Sequence, residues 1–281
     1  MRRAAPVLLL VLLVVTSGCT GLFGPGSPNP DDLAAHQQYD WNTSFDATVR
    51  VNKNNYTTVL NVANKTTGAA PNESSAPGGT IELYQRDALG TEQPLSLQAV
   101  QYRYPNGSRV VYRNDTTVLV TPDGEERNVS ALAVERTRKR TVVSLPGTDG
   151  QLAYTTPKTG KQVTTPTFVE GSYEVVLPPD TSVAIPLLAR VRPGGATTTR
   201  IDGRVHVQWE PIRGPSLVVR YYLDRDIQIF GVLVALLLLV GIGGAGYYLL
   251  QIRELVAQRE EVGLDVDVTD DDRRRPPPGM R

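Results

Sequence analysis

The sequence predicts a mainly β protein: a β-sandwich-like ectodomain, built as one sandwich or as two small β modules, followed by one C-terminal transmembrane α-helix. Three observations carry this. Short apolar-alternating runs recur between Asn, Gly and Pro turns, many at the 8–12-residue spacing of sandwich strands. Stretches with helical period are nearly absent before residue 227. Ile229 to Leu250 is an unbroken apolar run of 22 residues. At ~1.5 Å rise it is about 33 Å long, enough to cross a hydrocarbon core of ~30 Å.

The chain opens with Met1-Arg2-Arg3, a nearly all-apolar stretch from Ala4 to Val15, and Thr16-Ser17-Gly18-Cys19. An apolar run of about 12 residues is too short to span comfortably. A charged n-region, a short h-region and small residues before a thiol instead read as a lipoprotein signal peptide over residues 1–18. Cleavage would leave Cys19 with a new α-amine and a thiol able to take a thioether-linked lipid. Thr16 stands where Leu or Val is commonest in such a box, and Arg2-Arg3 leaves Sec and twin-arginine export both open. Cys19 is the single cysteine, so an intramolecular disulfide framework and a Cys-based metal cage are excluded. Residues 19–45 read as a Gly/Pro-rich tether (Gly21, Gly24, Pro25, Gly26, Pro28, Pro30), with one or two helical turns over Asp31–Gln38.

Strand patterning begins at Asp46. Ala47–Val51, a turn at Asn52–Asn55 and Tyr56–Val62 form the first pair. Residues 65–79 are a small, polar loop. Further strands fit 80–85, 96–104, 108–113, 117–121 and 130–136, with turns at Pro105-Asn106-Gly107 and Pro122-Asp123-Gly124. These make an N-terminal β region, 46–165. A membrane-proximal β region, 166–226, follows the 151–155 strand with strands at 172–177, 197–201, 204–210 and 216–223. In the last of these, Leu217, Val219, Tyr221 and Leu223 alternate with Val218, Arg220 and Tyr222. Only Asp224, Arg225 and Asp226 then precede Ile227, so the strand is expected to run almost directly into the membrane helix, 227–250.

An exported N-terminus and one spanning helix place the ectodomain outside the plasma membrane and residues 251–281 in the cytoplasm. That tail carries a juxtamembrane helix continued through Ile252, Leu255 and Val256, then an acidic, Pro-rich end. Within the helix, Gly241, Gly243, Gly244, Ala245 and Gly246 would allow close approach of a second copy, a helix-mediated homodimer.

All eleven Asn precede position 130, and seven open an Asn-X-Ser/Thr triplet: Asn42, Asn55, Asn64, Asn72, Asn106, Asn114 and Asn128. This exceeds what the Ser/Thr content yields by chance and marks them as glycosylation candidates on an exported surface. Lys plus Arg and Asp plus Glu both number 29, which speaks against a bulk nucleic-acid binder. Arg outnumbers Lys 24 to 5, the mark of a GC-rich genome. With the lipobox and the sequons it fits a halophilic archaeon, although the neutral balance is unusual there.

Three stretches, Ser172–Pro179, Val205–Glu210 and Val219–Asp226, together with Glu260–Asp267 and Pro276-Pro277-Pro278-Gly279-Met280, give the chain a familiar look. It resembles a family of haloarchaeal membrane lipoproteins known only as a domain of unknown function. The resemblance covers most of the chain and implies the same two-anchor layout. It implies no activity and carries over no catalytic residue.

Direct search for chemistry is unproductive. His36 lies in the tether, and His206, mid-strand beside Trp209, reads as ordinary sheet packing or surface. No cluster of His, Cys and acids stands out as a metal site. No phosphate loop or nucleophile elbow occurs. Arg136, Arg138, Lys139 and Arg140 form a basic knot, read as a charged face that blocks edge pairing if 135–141 is a strand. The expectation is a non-enzymatic, lipid-anchored surface protein without cofactor, binding or scaffolding at the envelope. Its partners would be membrane lipid and an unidentified protein, with no nucleic acid. The alternative is an accessory subunit of a membrane transport, secretion or signalling complex, working through helix and tail.

Overall fold

A computed structural model of the chain describes residues 28–64, 77–87, 89–113 and 116–261. After a single helical turn, α1 (Pro30–Leu33), the first strands are β1 (Ala47–Val51), β2 (Asn55–Asn61), β3 (Thr80–Arg86), β4 (Glu92–Pro94) and β5 (Gln98–Arg103). Next come β6 (Arg109–Arg113), β7 (Thr116–Val120), β8 (Glu126–Val129), β9 (Ala133–Arg136) and β10 (Thr141–Ser144). The second half holds β11 (Gln151–Pro157), β12 (Gln162–Pro166), β13 (Tyr173–Pro179), β14 (Thr181–Ser182) and β15 (Arg190–Arg192). It ends with β16 (Thr197–Ile201), β17 (Arg204–Trp209), β18 (Ser216–Arg220), β19 (Tyr222–Leu223) and the helix α2 (Asp224–Glu261).

The protein is mainly β, as expected. One ten-stranded sheet runs β16-β17-β13-β1-β2-β11-β5-β6-β7-β8. Sheets of four strands (β4-β3-β10-β9), three (β12-β18-β15) and two (β14-β19) complete the fold. Neighbours in the large sheet are antiparallel except β1 and β13, which pair in parallel from Ala47↔Tyr173 to Arg50↔Val176. One core joins the large sheet to the three- and four-stranded sheets: Val49, Leu60, Tyr154 and Val207 meet Leu83, Val143, Leu217 and Val219. Alternation decides which side chains enter it. Ala47, Val49 and Val51 point inward while Thr48 and Arg50 point outward.

The expected split at 165/166 does not occur. β13 bridges β1 and β17, so strands from both stretches share one sheet and one core. A parallel pair this far apart in sequence leaves no local signal. The join is pinned by Asp46, which accepts from Ser172 N–H at 2.8 Å and Ser172 Oγ at 2.9 Å. Gly171 has φ +116°, and a Cβ there would lie 2.2 Å from Asp46 Oδ2. Only glycine leaves room for this carboxylate.

The basic knot is not one continuous strand: Arg136 ends β9, and Arg138, Lys139 and Arg140 follow it outside the ladder. Thr137 N–H donates to Arg140 O at 2.8 Å, closing a hairpin tip between β9 and β10. Arg140 folds back from the tip to pair with Glu82 and Glu92, over the Tyr84 ring at 4.9 Å. Burial alone would lower its pKa; the bonds to the two glutamates outweigh that and raise it.

The compact units part between Asp224 and Arg225. In the second unit, α2 is one continuous helix, and Asp224–Arg259 is long and apolar enough to cross a membrane, an 18-residue stretch within it having mean hydropathy 2.5. Its first residue follows β19 directly: the charged Asp224, Arg225 and Asp226 form its opening turn. The helix continues past Leu250 to Glu261.

Candidate functional site

The outer face of the large sheet, opposite the core, is where the fold gathers polar chemistry. Register puts alternate residues of neighbouring strands on one surface. Thr48 lies across from Glu174 and Val59, Arg50 from Val176 and Thr57, and Val176 from His206. Ala153 lies across from Val59 and Gln101. Half of this face is apolar and half polar, and residues 37–45 lie over it as a strap.

The strap was expected to be tether. Instead Tyr39 packs on Val59, Ala99 and Ala153, with Trp41 edge-on to its ring at 5.7 Å. Tyr39 Oη donates to Ala99 O at 2.5 Å and lies 2.9 Å from Thr155 Oγ1. The carbonyl is available because the β11–β5 register shifts between Ala153 and Thr155, and Ala99 sits there with φ 51°. Such a bulge takes a residue out of the ladder. Burial pushes the Tyr39 phenol up, partly offset by the bond to Thr155. Gln101 Nε2 donates to Gln37 O at 2.9 Å, and Asp40 meets Arg50 at 3.3 Å. The driving force is apolar: the Asp40–Arg50 pair is exposed and worth little alone. Two aromatics two residues apart in a polar stretch were the available signal that this segment folds.

Beside the strap a groove of about 580 Å³ opens over the polar half of the face, with Asp40, Asn42, Arg50, Glu174, His206 and Gln208 in its wall. Glu174 Oε1 accepts from Gln208 Nε2 at 2.9 Å and lies 2.9 Å from His206 Nδ1. A carboxylate only accepts, so the proton of this bond is on His206 Nδ1. The His206 and Glu174 side chains are about 15% and 14% exposed, enough for contact with a ligand from one side. His206 is thus more than sheet filler: it belongs to an oriented three-residue array. Register between β13 and β17 created that array, which lies outside what spacing in the chain could show. Among the described residues, no group of three or more His, Cys, Asp or Glu could hold a metal ion.

The sequons do not converge. Asn42 is exposed beside the groove, and Asn106 is exposed at the β5–β6 turn, its Oδ1 accepting from Ser108 N–H at 3.0 Å. Asn128 is exposed on the edge strand β8. Asn55 is half-buried at the β1–β2 turn and accepts from Asn52 Nδ2 at 3.0 Å. Cys19, Asn72, Asn114 and the side chain of Asn64 lie outside the described residues.

A family model described as "Family of unknown function (DUF5803)" matches residues 43–267. No curated protein and no solved structure matches the chain.

Proposed function

From the premise that this chain belongs to the DUF5803 family, whose function is unknown, we propose a non-enzymatic binding module held at the surface of the plasma membrane. The helix crosses the bilayer, the β unit lies outside, residues after the helix lie inside, and a lipid on Cys19 is the second anchor. The sequons are read as glycan sites on the exported face. The binding surface is the outer-face groove, and its paired donors and acceptors suit a hydroxyl-rich ligand such as an envelope glycan.

The oriented Glu174–His206–Gln208 array carries this reading. Planar amide, carboxylate and imidazole groups, already fixed by one another, present paired donors and acceptors at little ordering cost. Specificity in such sites comes from a few placed polar groups. The alternative, an accessory subunit of a membrane complex, draws on α2, which at 38 residues is longer than the ~20 a bilayer needs.

Purification of the full-length protein from mild detergent, followed by binding to a glycan panel, separates the two. Glu174→Ala should weaken a bound glycan about 10- to 100-fold, the worth of one or two charge-assisted hydrogen bonds. A stoichiometric protein partner, retained by groove variants and with no glycan bound, would refute the binding-module reading. External protease on intact cells should spare a tag placed after Arg281; its digestion would refute the orientation.

A further inference from the structure

The three-stranded and two-stranded sheets share one line of backbone. β18 pairs with β15 (Arg190↔Arg220 to Arg192↔Val218), and β19 pairs with β14 (Thr181↔Leu223, Ser182↔Tyr222). Both pairings are antiparallel. Residues 181–182 and 190–192 therefore lie in line along one edge, and residues 183–189 leave that edge as a single excursion level with Tyr221. Tyr221 is three residues, about 10 Å of extended chain, before Asp224, where the helix starts.

The excursion is apolar. Ala184, Ile185, Pro186, Leu187 and Leu188 are consecutive and all exposed, Leu187 by 89%. Single exposed apolar residues are ordinary, but a contiguous run is a contact surface. Its root is fixed: Ala189 is buried, and Val183 packs on the core. Its tip is internally bonded, since Leu188 and Ala189 N–H both donate to Ile185 O, at 3.0 and 2.9 Å. Those groups need no water, which is the condition for entering an apolar phase.

Arginines follow the loop at once. Arg190, Arg192 and Arg220 are exposed, and none forms an ion pair among the described residues. Arg190 and Arg220 stand directly opposite each other, an arrangement of like charges that costs stability. The acids at the other end of β14 and β19 are Asp180 and Asp224, and Asp224 already lies 3.9 Å from Arg200. An apolar tip, three cations without an ion pair among the described residues and a covalent link to a membrane helix a few residues away suit one partner.

We propose that residues 183–189 form a membrane-contact loop. Ile185, Leu187 and Leu188 enter the bilayer interface, and Arg190, Arg192 and Arg220 take the phosphates of anionic lipids. This rests on the reading of α2 as a membrane span, and it adds a third attachment that limits how the β unit tilts.

The test uses the full chain with Cys19→Ser, carrying an environment-sensitive fluorophore at Leu187→Cys or, separately, at Leu237→Cys in the helix. Each is reconstituted in vesicles of phosphatidylcholine mixed with phosphatidylglycerol, and near-UV circular dichroism confirms the fold. Both labels should be blue-shifted and quenched by nitroxide lipids. Replacing the three arginines by Gln should reduce the lipid-bound state of the loop roughly fivefold per arginine, with no change at the helix label. A label at 187 that stays in water while the one at 237 is in lipid overturns the loop alone. Shielding of 187 from iodide without quenching by nitroxide lipids means a protein covers it, which also overturns the proposal. Equal insertion in pure phosphatidylcholine overturns the role of the arginines. A water-exposed label at 237 overturns the span and the inference with it.

Discussion

Removing the Tyr39 ring should release the strap without unfolding the sheet beneath it. Tyr39→Phe deletes the hydroxyl that donates to Ala99 O and contacts Thr155 Oγ1, at 2.5 and 2.9 Å. It leaves the hydroxyl of Thr155, a residue only 3% exposed, without its partner. The expected cost is about 1–2 kcal/mol. Tyr39→Ala also removes the ring from Val59, Ala99 and Ala153 and from the edge of Trp41. By the usual cost of truncating a buried aromatic, the loss is about 3–5 kcal/mol. That shifts the docked-to-undocked ratio by roughly two to nearly four orders of magnitude. The assay is native-state hydrogen exchange on the full-length protein, following peptides over residues 37–45 and over β2 and β11. The strap should lose protection first, by these factors, while β2 and β11 hold. A cycle with Thr155→Val should show a coupling of about 1 kcal/mol. Two results would refute the reasoning: unchanged strap protection in Tyr39→Ala, or equal loss of protection across the sheet.

Alkaline pH should unfold the β unit cooperatively. Burial pushes the phenols of Tyr56, Tyr112 and Tyr173 up to about 12. The folded protein then holds protons that the unfolded chain releases near pH 10, so the stability they contribute is intact below pH 10 and falls as pH rises through 12. Tyrosinate absorbance should rise together with loss of the β signal; a gradual rise with the fold intact would count against these burials. Arg140→Ala strands Glu82 and Glu92 in a partly buried site and should cost about 2 kcal/mol, seen as a Tm roughly 4–8 °C lower. An unchanged Tm would show that the hairpin tip needs no such anchor. Of the four sequons whose side chains are described, glycopeptide mass spectrometry should find Asn42, Asn106 and Asn128 more occupied than the half-buried Asn55. Preference for Asn55 would reject exposure as the selector.

The signals legible in the chain were local ones. Period-2 alternation located β1, β2, β3, β5, β6, β7, β9, β11, β13, β16, β17 and β18 near their observed limits, because the buried face of a half-buried strand writes itself into every second residue. A long apolar run marked the helix for the same reason. The strands that escaped were short or polar: β4, β14 and β15 have two or three residues, too few to show a period, β10 has only four, β12 is mostly Gln and Thr, and β8 is largely exposed. The Arg136–Arg140 stretch misled because a hairpin tip and an exposed strand carry the same charges.

What joins distant parts of the chain was decided by tertiary structure. The β1–β13 pair unites residues 126 apart through Asp46, Gly171 and Ser172, and no spacing rule relates positions that far from each other. The Glu174–His206–Gln208 array exists because two strands align in one register; a slip of one residue would turn His206 into the core. Tyr39 and Trp41 sit in a stretch whose polar, Pro-rich start reads as linker, and only the bulge at Ala99 and the apolar patch beneath give them a place to bind. An apolar run such as 184–188 does not by itself tell its place, since a strand, a core segment and a surface loop all accept one. Its exposure follows from the neighbours on either side, residues 181–182 and 190–192, which fill the edge beside β19 and β18 and leave no room for it in the sheet.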